Sequence, residues 1–404
     1  MHNTLSRRSA LAGLAVAAAG SARAQQNGSA QQNGSAQQNR PAPPSTITSP
    51  PRDFGPNGAP TTYFSDPDIL VVDPSFAPYV QPNSAIQRIW RGGLWVEGPA
   101  WSAEGRYLIW SDIPNDRQMR WLQDDGRVGV FRSPSNNSNG NTFDYQGRQI
   151  SCEHLTRRVV RYEHDGTVTV LADNYQGKRL NSPNDAVPHP DGSVWFTDPP
   201  YGGQLYEGAP DVAGGPSNVN GHLNPRIGQP AGFVPGRREL PTNVYRLDPG
   251  GRLDIVVTED QVPDPNGLCF SPDHTRLYLC STGKGPGDQG PGGKGELFVA
   301  DVAGDRVSNV RRFSDCVIDG VACGPDGIRC DVDGNLWSSS NAGRNVGYNG
   351  VTVWNPAGTL IGRIRTPEVV ANLCFGGPKR NRLFIAGSQS IYAVFVNTQG
   401  AAPG

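Results

Sequence analysis

One plan repeated six times leaves this chain few folds to choose from. A polar residue heads a short, mostly apolar run at Glu97, Asn141, Asn184, Asn266, Asp326 and Asn372. Each run is followed by a turn of Asp, Gly or basic residues and then by a β-rich run such as YLIWSD or LYLCST. Five of the six units continue into two further strand-like runs. The heads stand 44, 43, 82, 60 and 46 residues apart, so the unit is near 44 residues and two units carry insertions. Four short strands at that period are the blades of a β-propeller. The 51 glycines and 36 prolines have no Gly-X-Y period, so they supply turns, and they exclude a helical bundle.

The sequence therefore predicts an all-β fold, a six-bladed β-propeller of four-stranded blades across about 66–397 within a domain of 61–404. The sixth unit ends at its third strand. Segment 85–90 precedes the first head as outer strands precede the other heads, so the N- and C-terminal strands are expected to pair and close the ring. All inner strands start at one end of the channel. The six heads and the loops after each second strand should share that face. The widest gap between heads places a Gly/Pro/Asn-rich insertion at 202–240 over it as a lid, with a disordered surface insertion as the alternative.

Residues 1–24 carry Arg7 and Arg8, then an alanine-rich apolar run, then a small-residue cleavage site at Ala22 to Ala24, the pattern of a twin-arginine export signal. Residues 25–60 repeat QQNGSA and continue in Pro, Ser and Thr, which reads as a disordered linker. The expected location is periplasmic or secreted. With 36 Lys+Arg against 37 Asp+Glu the chain is near neutral, which argues against a nucleic-acid partner, and no mature stretch is apolar enough for membrane insertion. The seven cysteines lack Cys-x-x-Cys spacing. Five sit in strand-like runs as packed thiols, and Cys316 and Cys323 share a loop where a disulfide is conceivable. The sequence sets no oligomeric state.

The heads hold two carboxylates and several amide oxygens and no His, Cys, Lys or Arg. A summed charge of −2 on hard oxygen donors suits a divalent cation, Ca²⁺ first, with Mg²⁺, Mn²⁺ and Zn²⁺ behind. The competing reading is turn formation by Asn-Gly and Asp-Gly pairs, with the polar heads bonded to a column of water. Glu97 before Gly98-Pro99 fits the cation better than a turn. His154 and Asp198 end second strands on the head face and Tyr201 opens the insertion, so each is a candidate substrate contact or support. No G-x-S-x-G is present to suggest a serine nucleophile.

At Glu97-Gly98-Pro99-Ala100-Trp101, at the run from Gly177 through Asn181 to Asn184-Asp185, at Phe196 through Asp198 to Tyr201-Gly202, and at Pro265-Asn266-Gly267-Leu268 and Pro325-Asp326-Gly327, the chain resembles the gluconolactonase/regucalcin (SMP-30) family, and within it the exported bacterial gluconolactonases. The resemblance implies a divalent metal held by Glu97, Asn266 and Asp326, with Asn184 beside metal and substrate, and a sugar-lactone substrate. The expected reaction is metal-dependent hydrolysis of an aldonolactone such as glucono-1,5-lactone, with Asp326 as general base and Asn184, Asn141, Asp198, Tyr201 and His154 toward the substrate. The alternatives are a metal-dependent esterase or phosphotriesterase and a non-catalytic sugar-binding propeller.

Overall fold

The computed structural model describes residues 66–203, 238–283, 292–345 and 347–403. The expected signal (1–24), the linker (25–60) and most of the 202–240 insertion lie outside those residues.

The repeat becomes a ring of antiparallel meanders. Blade one is Val96–Ser102, Tyr107–Asp112, Arg117–Leu122 and Val128–Arg132, and blade two is Ser138–Phe143, Gln149–Glu153, Arg158–Tyr162 and Val168–Ala172. Blade three is Ala186–Pro188, Val194–Thr197, Val244–Leu247 and Leu253–Val257, and blade four is Pro265–Phe270, Arg276–Ser281, Glu296–Ala303 and Arg306–Ser314. Blade five holds Ile328–Cys330, Leu336–Ser340, Gly350–Trp354 and Leu360–Arg365, and blade six holds Val370–Gly376, Arg382–Gly387 and Ser390–Phe395. Burial follows position. Every residue of the inner strands Val96–Ser102 and Val370–Gly376 is buried, whereas the outer Val168–Ala172 begins with three exposed residues. Aromatic rings fill the seams between blades. Trp101 stacks on Phe384 between blades one and six, Trp195 meets Phe270 edge-on between three and four, and Trp337 meets Phe375 between five and six.

The ring closes as expected. Gln87–Arg91 is the fourth strand of blade six, with Gln87 opposite Ala393 and Arg91 opposite Ser390. The sequence did not foretell a fifth strand on blade five, where Ile69–Val71 pairs with the outer strand through Ile69 and Ile364. The segment between these two N-terminal strands is anchored by Ile86, fully buried in the cluster with Trp337, Leu383 and Tyr392, while its N–H donates to Asp66 Oδ2 at 2.8 Å.

All seven cysteines are buried free thiols, and the conceivable Cys316–Cys323 disulfide is not formed. The two residues frame a tight hairpin of Val317–Ile318 and Val321–Ala322, and Cys323 N–H donates to Cys316 O at 2.9 Å. Their side chains belong to different apolar clusters, Cys316 with Leu297 and Cys323 with Ile318 and Tyr348.

If the N-terminal segment is integral to the ring, Ile86→Ala lowers unfolding free energy by about 2–4 kcal/mol in a denaturant titration. A loss below about 1 kcal/mol would mean that the segment merely lies against a ring already closed.

Candidate active site

The heads are placed by a close approach of neighbouring inner strands. Gly140 N–H donates to Asn184 O at 2.8 Å, Gly267 N–H to Asp326 O at 2.9 Å and Gly327 N–H to Ala371 O at 2.7 Å. A Cβ on Gly98 would stand 2.0 Å from Asn139 O, and Gly98 also takes a φ of +52, so only glycine serves there. The residue before each such position is the one presented at the head of the channel.

This register corrects two heads. In blade one Val96 pairs with Asp112 and Glu97 with Ser111 before the register shifts; in blade two Ser138 pairs with Glu153 before the corresponding shift. Asn139 therefore stands where Glu97 stands, and Asn141 lies two residues deeper. The Asn141 amide is consumed between blades one and two. Its Nδ2 donates to Gly98 O, Ser111 Oγ and Asn139 O, and its Oδ1 accepts from Gln118, Gln149 and Ser151. Such a saturated buried amide holds the scaffold and leaves nothing for a substrate. In blade six the head position is Ala371. Asn372 takes the glycine's place and its Oδ1 accepts from Leu373 N, as Asp185 Oδ1 accepts from Ala186 N in blade three.

The ring thus carries Glu97, Asn139, Asn184, Asn266 and Asp326, with Ala371 as its apolar member. Glu97, Asn139, Asn184 and Asn266 are each at most 4% exposed. Glu97 Oε2 accepts from Gly98 N at 2.9 Å, and Asp326 N–H is held by Ser339 Oγ at 2.8 Å. Asn139 is the member the sequence reading missed. Its Oδ1 is buried without a hydrogen-bond partner, and its Nδ2 lies 3.4 Å from His154 Nε2. The signal was Gly140 after it, the same pair as Asn266-Gly267.

Three of the five expected substrate contacts, His154, Tyr201 and Asp198, make bonds that support the site. His154 is fully buried against Gly202, whose Cβ would meet the ring at 2.2 Å, so it backs Asn139. Tyr201 OH donates to Gly283 O at 3.1 Å, tying the loops after the second strands of blades three and four. Asp198, fully buried, accepts from Asn181 N and Ser182 N at 2.8 Å each and so fixes the segment leading to Asn184. Burial pushes its carboxyl up to about 7, against the lowering effect of those two N–H donors and of Arg157.

Fit to a cation rests on donor chemistry. Among the described residues no three His, Cys, Asp or Glu side chains gather as a metal site. Glu97 and Asp326 would have to be completed by amide oxygens, an irregular all-oxygen set that suits Ca²⁺, and the unpartnered Asn139 Oδ1 is one such oxygen. Among the described residues, those lining the far end of the channel include no Asp or Glu. There a cavity of about 30 Å³, room for about one water, lies among Asn141, Arg329 and Cys330 above Gly400 and Pro403. The C-terminal segment borders it, with Gly400 N–H on Arg380 O and Ala401 N–H on Cys330 O.

Residues 95–389 match the family described as SMP-30/Gluconolactonase/LRE-like region, and the chain belongs to that family. A gluconolactonase of Zymomonas mobilis is 31% identical over 325 residues, covering 76% of this chain and 80% of that protein. The solved gluconolactonase of Xanthomonas campestris superposes with a TM-score of 0.66 at 31% identity, covering 85% of this chain and 99% of that one. A calcium-binding regucalcin of Agrobacterium tumefaciens, 18% identical with a TM-score of 0.55 over 77% of this chain and 92% of that one, shares the fold.

Asn141→Leu is expected to cost about 2–4 kcal/mol in denaturant unfolding because it strands several buried partners. Asn139→Ala should cost less than about 1 kcal/mol there and act instead on substrate turnover. Asp198 makes a pH-dependent contribution. Its folded pKa, about 7, lies above the ordinary aspartate value of 3.8, so the folded state holds its proton longer, and stability falls as pH rises between those values. Denaturant titrations across that window should show wild type losing stability relative to Asp198→Asn; a constant difference would mean that Asp198 is ionised throughout.

Proposed function

We propose that this protein hydrolyses a sugar lactone, an aldonolactone such as glucono-1,5-lactone, with a divalent cation held by Glu97, Asn184, Asn266 and Asp326. The observation that carries the reading is the register, which sets two carboxylates and three amides at equivalent positions around one channel mouth. Named relatives support the reaction class, since the proteins of Zymomonas mobilis and Xanthomonas campestris are gluconolactonases. The regucalcin neighbour is described as calcium-binding.

Bound at the heads, a divalent cation supplies Lewis-acid polarisation of the lactone carbonyl and compensates the oxyanion that forms on it. The chain's own residues do the rest. Asn139 and Asn184 offer amide groups to orient the sugar hydroxyls. Asp326, more open than its neighbours, takes a proton from the attacking water as the water oxygen bonds to the carbonyl carbon. The bond from that carbon to the ring oxygen then breaks, the ring oxygen leaves as a hydroxyl after taking up a proton, and the acid is released. Export through the twin-arginine route belongs to the same proposal and rests on Arg7, Arg8 and the apolar run behind them.

Chelator treatment should abolish lactone hydrolysis and Ca²⁺, Mn²⁺ or Mg²⁺ should restore it, read by pH-stat titration against aryl esters and phosphotriesters as competing substrates. Glu97→Gln and Asp326→Asn should each lose at least about a hundredfold in kcat/KM. Full activity in metal-free protein would remove the cation from the proposal, and faster turnover of phosphotriesters than of lactones would reassign the substrate.

A further inference from the structure

Beneath the heads an ion pair crosses the channel, and the chemistry above gives it no role. Arg329 lies three residues beyond Asp326 on the inner strand of blade five, and its Nη1 stands 3.1 Å from Asp185 Oδ2. Asp185 follows Asn184 directly in blade three, 144 residues away, and blade four stands between the two blades. The pair therefore spans the channel face of blade four. Asp185 is fully shielded from solvent and the Arg329 side chain is 9% exposed. Arg329 Nη1 also donates to Ile328 O at 2.7 Å, and Asp185 Oδ1 accepts from Ala186 N at 3.0 Å.

The sequence positions make the pair exceptional within its own repeat. Counted from each head, the places equivalent to Arg329 hold Ala100, Thr142, Val187, Cys269 and Cys374, and those equivalent to Asp185 hold Gly98, Gly140, Gly267, Gly327 and Asn372. None of these is charged. One charged residue stands at each of two otherwise neutral positions, and the two meet. A buried pair of this kind adds little stability over neutral side chains of similar size, so stability alone does not account for it. What it does is connect the strand of Asp326 to the strand of Asn184 without passing through blade four.

We propose that Arg329 is a positioning residue: its ion pair with Asp185 is a strut that fixes Asn184 and Asp326 relative to one another and floors the pocket beneath them. Only the kinetic readout of this proposal rests on the lactonase reading.

The test compares the full-length wild type with Arg329→Lys, Arg329→Met and the double variant Arg329→Met/Asp185→Asn. The double variant leaves no buried charge alone, and asparagine already occupies the equivalent place in blade six, so this variant is expected to fold with a melting temperature near wild type. Amide exchange followed by mass spectrometry, without added metal, should be at least about tenfold faster at 184–187 and 326–330 in the double variant and unchanged in the outer strands. With glucono-1,5-lactone its kcat should fall about a hundredfold while KM moves far less. Arg329→Lys, which keeps the charge, should lie between. Wild-type exchange rates at both segments of the double variant would overturn the strut, as would a kcat that recovers together with the melting temperature. Faster exchange in a set of proteins of which none, wild type included, hydrolyses a lactone would uphold the strut and sink the lactonase reading.

Discussion

The hydrogen bond from the N–H after one head to the carbonyl of the next blade's head is the constraint on which the site depends. It requires two inner strands to approach so closely that a Cβ at Gly140 would lie 2.3 Å from Asn184 O and one at Gly267 2.2 Å from Asp326 O. The glycine is therefore a packing requirement, and its effect is to level the heads side by side around the mouth. Two readings compete in the sequence, Asn-Gly as local backbone chemistry and Asn-Gly as a ligand position, and one device is compatible with both. The glycine brings the strands together, and the residue before it is thereby carried to the channel.

Much of the fold was legible because a repeat exposes its own period. Blade number, strand order and the closure by Gln87–Arg91 follow from counting runs between heads. The phase was harder. In blade two Asn139 and Asn141 flank a single glycine, and aligning the apolar runs selects the second, whereas the backbone approach selects the first. In blade six no glycine marks the place, because Asn372 satisfies the following N–H with its own side chain. The strand Ile69–Val71 was illegible for another reason. Three residues give no periodicity to read, and their partner Leu360–Arg365 lies nearly the whole chain away.

The supporting residues divide in the same way. Sequence put His154, Asp198 and Tyr201 on the head face because each ends or follows a second strand, and that placement depends only on chain direction. Which way a side chain turns depends on partners distant in sequence. Tyr201 finds Gly283, Asp198 finds two backbone donors before Asn184, and His154 is pressed between Asn139 and Gly202. A loop residue with a polar end is read as a ligand until the carbonyl or amide that consumes it is visible.

Charge along the channel then bears on how a lactonase of this shape would turn over. Arg329 pairs with Asp185, and Gly400 and Ala401 are hydrogen-bonded beside the far end. Among the described heads only Glu97 and Asp326 carry charge, and a divalent cation would balance those two. A neutral lactone loses little on entering such a site, and its hydrolysis product, an anion, meets no net positive charge there to retain it. Were Asp185 unpaired, a third carboxylate would enter the same channel and either take up a proton or repel the oxyanion forming at the carbonyl carbon. A guanidinium fixed to the strand of Asp326 meets that carboxylate with a positive charge that arginine does not give up.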